Sequence, residues 1–289
     1  MDAAFALLSA ALFAGNALCV RLGLRGSTPA TATLLSVATN LTGLWVLAAA
    51  RGSLGRALHP AAGIFLLAGM FAPALARLTY YESLTLIGVA RAATISNTTP
   101  LFSALLAVLV LGERLTWRIA GGTLLVVAGV VLAVRQEGGA GAAGRGRAAT
   151  TGTLLALNTA VMASVSFMLR KTGLRMLPDP VLGAALTVTG SLVVLVPYTA
   201  SRWRREPLRA DRASLGWLVA GGCLTTGGFL AYYLALHLGD VVRVTPLSNT
   251  TPLFAVALLY AFRQVEAVRP ATALGAVLAV AGIALVAWG

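Results

Sequence analysis

The chain has 289 residues, of which 58% are hydrophobic and only 11% charged, and its formal net charge is +13. So little charge cannot cover the surface of a soluble protein of this size, which excludes that class. The basic excess does not signal nucleic acid. Its Arg residues are scattered through short loops rather than gathered into a stripe, and they read as charges meeting lipid headgroups.

Apolar runs of about 17–25 residues, the length an α-helix needs to cross ~30 Å of hydrocarbon, recur along nearly the whole chain. They predict an all-α membrane protein with ten helices, at 3–22, 30–50, 61–84, 88–111, 117–135, 152–173, 180–200, 214–236, 241–262 and 270–288. The first follows Met1-Asp2 directly and lacks the basic leader of a signal peptide, so it is expected to be a membrane helix. It carries Asn16 and Cys19; Cys223 lies in the eighth. Two such cysteines without partner spacing read as small core residues. The third helix ends on Tyr80-Tyr81-Glu82, and the fourth opens on Arg91. The fifth contains Gly121, Gly122 and Gly129, and the tenth Gly275 and Gly282. Seven residues apart, Gly122 and Gly129 share one helix face, where small residues let backbones approach closely; that face either joins two parts of the chain or mediates a homodimer.

The chain is internally duplicated. Ser96-Asn97-Thr98-Thr99-Pro100-Leu101-Phe102 returns as Ser248-Asn249-Thr250-Thr251-Pro252-Leu253-Phe254, 152 residues later. Upstream, Tyr80-Tyr81 answers Tyr232-Tyr233 and Arg91 answers Arg243. A Gly-rich linker at 136–151 separates a first repeat (1–135) from a second (152–289). Five helices per repeat is an odd number, so the second repeat must enter the membrane from the opposite side. Two inverted-topology repeats around a central cavity are a recurrent construction of secondary transporters.

Candidate site residues follow from the duplication. Each Pro leaves the carbonyl four residues upstream, that of Ser96 or Ser248, without its usual partner. Free acceptors beside Asn97, Thr98, Thr99 and Pro100, and beside Asn249, Thr250, Thr251 and Pro252, are expected to line a substrate cavity. The competing reading is that these polar groups only bond neighbouring helices. Asn16 and Ser166 occupy corresponding positions in the first and sixth helices and join the list, as do Tyr81 and Tyr233, placed to touch an organic substrate. Glu82, Arg91 and Arg243 form a possible charge site, with Glu82 either a proton or amine site or a partner of Arg77 or Arg91.

Other classes fit less well. The chain has two His far apart, no His-Glu-x-x-His and no Gly-x-Ser-x-Gly, which argues against an intramembrane enzyme. No phosphate-binding Gly-x-x-x-x-Gly-Lys-Ser/Thr loop is present, so a gradient or substrate exchange would supply energy, and no cofactor or metal is expected. No loop is long enough for a soluble domain, which argues against a non-transporting scaffold.

A Pro in the fourth helix, then Leu111-Gly112-Glu113-Arg114-Leu115, then a Gly-bearing fifth helix resembles the drug/metabolite transporter superfamily, and within it the ten-helix family of paired EamA domains. The second copy departs from the pattern, reading Arg263-Gln264-Val265-Glu266-Ala267. The resemblance implies a bacterial inner-membrane protein that moves a small organic metabolite by alternating access, an exported amino acid first and a drug or lipid-linked substrate second. It also implies cytoplasmic termini. The loop charges argue otherwise: twelve Arg fall after helices 1, 5, 7 and 9, against seven basic residues after helices 2, 4 and 6, which puts both termini outside.

Overall fold

The computed structural model of the protein describes residues 1–137, 147–203, 209–261 and 270–288. Within these residues the regular structure is helical, apart from one isolated bridge between Ser27 and Ala210 and a short 3₁₀ turn at Ser53–Arg56. The helices are α1 (Asp2–Gly23), α2 (Pro29–Ala50), α3 (Ala61–Gly69), α4 (Ala76–Ile87), α5 (Val89–Ser96), α6 (Thr99–Leu111), α7 (Trp117–Glu137), α8 (Arg147–Met176), α9 (Pro180–Trp203), α10 (Arg212–Leu238), α11 (Val241–Ser248), α12 (Thr251–Ala261) and α13 (Pro270–Ala287). Seven runs are long and apolar enough to cross a membrane, and α7 and α13 contribute shorter apolar stretches. The chain is an integral membrane protein.

Local chemistry sets the boundaries. Thr28 caps α2, its Oγ1 accepting the Thr31 N–H, and Pro29 occupies the first turn, where its missing donor costs nothing. Asp211 caps α10 through the Ser214 N–H. Gly112, in the left-handed region at φ 67°, ends α6 as glycines commonly do.

Three predicted helices are broken. The third run divides at Met70–Leu75, a π-helical segment in which Ala72 has extended φ/ψ (−146°, 130°) beside Pro73. The duplicated patches break the fourth run between α5 and α6 and the ninth between α11 and α12, so Pro100 lies in the first turn of a new helix rather than mid-helix. The sixth helix is longer than expected at both ends: α8 starts inside the predicted linker and runs on to Met176. Linker residues 138–146 and the second Gly-Glu-Arg counterpart at 263–267 lie outside the described residues.

Packing follows the duplication. α1 lies along α10 as α4 lies along α8; α2 meets α10 as α3 meets α9; α1 meets α12 as α6 meets α8. These contacts between halves come in mated pairs with the roles exchanged, which is the two-repeat architecture in packing terms. The glycine face predicted on α7 is used within the chain, against α13: a Cβ on Gly282 would stand 2.6 Å from the Gly122 carbonyl oxygen and one on Gly122 2.8 Å from that of Gly282. The apolar core, around Phe65, Leu182, Tyr233, Leu236 and Leu247, draws on both halves.

Candidate functional site: a polar interior shared by both halves

The two Asn-Thr-Thr-Pro breaks carry the same bonds. Thr98 Oγ1 donates to the Ile95 carbonyl and Thr250 Oγ1 to that of Leu247, both at 2.6 Å. Thr99 Oγ1 donates to Ser96 O at 2.6 Å and Thr251 Oγ1 to Ser248 O at 3.1 Å. The carbonyls expected to be left open by Pro100 and Pro252 are therefore taken by hydroxyls three residues on. A proline deletes a donor, and the motif supplies a replacement from its own side chain. Asn249 Nδ2 donates to Thr245 O at 2.9 Å, whereas Asn97 is half-buried at the end of α5. α6 packs on α11, so the helix that follows the first break meets the helix that precedes the second.

At the end of the bundle that holds Asp2 and Ala287, buried charges knit the halves together. The Val241 and Val242 N–H groups donate to Glu113 Oε1 and Oε2 at 3.0 and 2.9 Å, so the first half's acid caps a helix of the second. Lys171 Nζ donates to the carbonyls of Leu236 (2.8 Å) and Gly239 (2.6 Å), at the end of α10, and pairs with Asp240 at 4.0 Å. Arg243 pairs with Asp2 at 3.4 Å and donates to the Ala287 carbonyl, rather than pairing with Asp240. Arg56 meets Asp179 at 3.7 Å at the same end.

Just inside this closure stands Arg170, only 4% exposed. It lies six residues before the end of α8, about 9 Å along the axis. The Phe167, Phe229, Tyr232 and Tyr233 rings surround its guanidinium at 5.5–5.7 Å, and Nη2 donates to Ala72 O at 2.6 Å. That carbonyl is free because Ala72 leaves helical geometry. Ser166 Oγ donates to Ala68 O (2.8 Å) and Ala72 O (3.1 Å), holding the same break. Tyr233 bonds Thr187, and the Tyr232 hydroxyl faces that of Thr245.

The remaining expected site residues scatter. Tyr81 is half exposed and stacks only on Tyr80, at 6.3 Å, while its repeat mate Tyr233 is fully buried. Asn16 Oδ1 is buried and unbonded against the α10 backbone at Gly221. Glu82 and Arg91 are exposed, and among the described residues no ion pair joins Glu82 to Arg77 or Arg91. Cys223, expected in the core, is exposed in an open groove of about 630 Å³ between α2 and α10, lined also by Thr39, Thr42 and Thr226. Arg170 and Lys171, two of the seven basic residues that the loop count places after helices 2, 4 and 6, are buried side chains. A signal for them existed: both fall inside the predicted sixth helix, where a charge is costly and so informative.

An all-helical bundle of apolar runs, built from two packed repeats with broken helices and charges in its interior, defines a polytopic membrane protein of the transporter class. The model of the EamA-like transporter family matches residues 2–135 and again 150–288, and the chain belongs to that family. It is thereby a membrane transporter of small molecules. A crystal structure described only as "Crystal structure of protein" superposes with a TM-score of 0.82 over 99% of this chain and 97% of that one, at 21% identity, and so shares the fold. No curated protein matched.

Proposed function

We propose that the protein is a secondary transporter of ten crossings, two five-helix repeats of inverted topology that export an amino acid or a related small metabolite by alternating access. The observation that carries the reading is the pair of identical, self-bonded helix breaks, one per half, placed on helices that pack together inside the bundle. Discontinuous helices paired between repeats are where secondary transporters place their substrates. Arg243 ties Asp2 to Ala287, which supports both chain ends lying on one side, and the family resemblance favours the cytoplasmic side of a bacterial inner membrane.

The test is counterflow in proteoliposomes of purified protein, with labelled amino acids and with or without a pH gradient. Accelerated exchange of one class, absent from protein-free vesicles, is the expected result. Folded protein that accelerates none of them overturns the amino-acid reading. Gradient dependence then identifies the energy source.

A further inference from the structure

We propose that Arg170 and the aromatic ring around it form a carboxylate-binding subsite, so that the substrate is an organic acid group carried on an apolar or aromatic body. This rests on the transport reading above and narrows it to the atoms that recognise the substrate.

The argument starts from cost. Removing a guanidinium from water costs several kcal/mol even after relaxation, and ionisable side chains inside membrane helices persist where they have a partner or a task. Arg170 has five N–H donors to satisfy. Nη2 serves the Ala72 carbonyl, but Nε is buried with no partner at all. The ring faces return part of the cost through the cation–π attraction, and they fill none of the donors.

The neighbouring charges behave differently. Lys171, the next residue, spends its ammonium on two carbonyls and Asp240. Glu113 is taken by the α11 backbone, Asp2 by Arg243 and Asp179 by Arg56. Among the described residues no carboxylate stands within ion-pair distance of Arg170. The acids at this end are each committed elsewhere, and Arg170, held among aromatic rings, pairs with none of them.

What surrounds that cation suits an organic acid. A guanidinium edge matches a carboxylate in a planar, directional way that an ammonium does not. The hydroxyls of Tyr232 and Thr245 face each other beside the Tyr232 ring and supply a second polar contact. Phe167 and Phe229 offer faces for the rest of the molecule. Helices of the second half (α8, α10, α11) supply these side chains, and the first half supplies the Ala72 carbonyl, so the subsite sits on the seam that alternating access must open. It lies directly under the Glu113–Lys171 closure, which keeps it from water at that end.

The test is ligand stabilisation of the full-length protein in nanodiscs. Probes are L-leucine and L-phenylalanine, their decarboxylated counterparts isoamylamine and phenethylamine, their carboxamides, and inorganic phosphate. The amino acids are expected to raise the apparent Tm, and the amines and amides are not. Arg170→Gln is expected to weaken that binding on the order of a hundredfold, the loss typical of removing a charged partner, with Arg170→Lys retaining part of it. Should Arg170→Gln fail to fold, Tyr232→Phe and the acid-against-amide comparison on the natural protein carry the same test.

Equal stabilisation by acids and amines, stabilisation by phosphate alone, or no response to any probe overturns the subsite. A lowered Tm in Arg170→Gln with unchanged ligand selectivity also overturns it, and leaves Arg170 as a clamp on Ala72. The two readings fail separately. Acid-selective binding without counterflow sinks transport and keeps the subsite; counterflow of a carboxylate-free metabolite, undiminished in Arg170→Gln, does the reverse.

Discussion

Glu113 and Val241 lie 128 residues apart in sequence and on opposite repeats, yet the Val241 N–H donates to the Glu113 carboxylate at 3.0 Å inside the bundle. The Val242 N–H takes the second oxygen. The first N–H groups of a helix have no partner within it, and the positive end of the helix dipole favours an anion there. A single side chain just past α6 of one repeat thus completes a helix of the other.

Replacing Glu113 with Gln keeps the shape and removes the charge and one acceptor. The expected loss is about 2 kcal/mol, the usual worth of a buried hydrogen bond to an ionised group. Glu113→Ala should cost more, since both donors are then orphaned. Thermal unfolding in detergent, read for the two variants side by side, checks the order; equal melting of all three proteins would remove the cap from the account.

The α7–α13 seam gives a steric prediction. In Gly282→Leu the side chain must displace the Gly122 carbonyl and the Val126 backbone nitrogen, at 2.6 and 2.7 Å from the new Cβ. Overpacking of this kind costs about 1–3 kcal/mol, and backbone atoms give way less readily than side-chain tips. Gly121→Leu, where nothing stands within 4 Å, should be nearly silent. Melting temperatures of the pair separate a seam glycine from one with open space beside it, two kinds that look alike in the sequence.

That contrast marks what could be read in advance. Composition and the length of the apolar runs define the membrane class, and the verbatim Ser96–Phe102 repeat exposes the duplication. The Gly122/Gly129 spacing locates a packing face but not its partner, because a small-residue stripe is the same whether it meets another helix or another molecule. Bonds between halves, such as Glu113 to Val241 or Arg170 to Ala72, depend on how two repeats are juxtaposed, and one chain read locally carries no such information. The error over Arg170 and Lys171 had a different origin. Charges near the end of an apolar run read as loop residues, whereas α8 continues to Met176 and keeps them buried.

Asp211 supplies a pH prediction. The Ser214 backbone N–H, and then its hydroxyl, hold the exposed Asp211 carboxyl below its usual value. A depressed folded value means the cap stabilises α10 fully above the ordinary aspartate range and loses that contribution as pH falls through the folded value. Asp211→Ala should therefore melt below the natural protein near neutral pH, and the gap should close in strong acid. A gap that stays constant with pH would show that the carboxylate is not the group responsible.

The duplicated patch separates bonding from recognition most directly. Thr99 and Thr251 are engaged in closing the carbonyls that Pro100 and Pro252 leave open. Thr99→Val and Thr251→Val keep size and remove the donor, so each should lower stability by about 1 kcal/mol as a partly buried carbonyl loses its partner. Asn97 is half-buried at the break, and the proposed transport reading makes it the residue of the first patch that meets the substrate. Asn97→Leu is expected to abolish counterflow with the apparent Tm nearly unchanged, and Asn249→Leu to do so with some loss of stability, since its amide also bonds Thr245 O. The measurement is Tm and counterflow on the same preparations. If Asn97→Leu unfolds the protein while Thr99→Val transports and melts normally, the roles are reversed: the amide holds the break and the hydroxyl is spare.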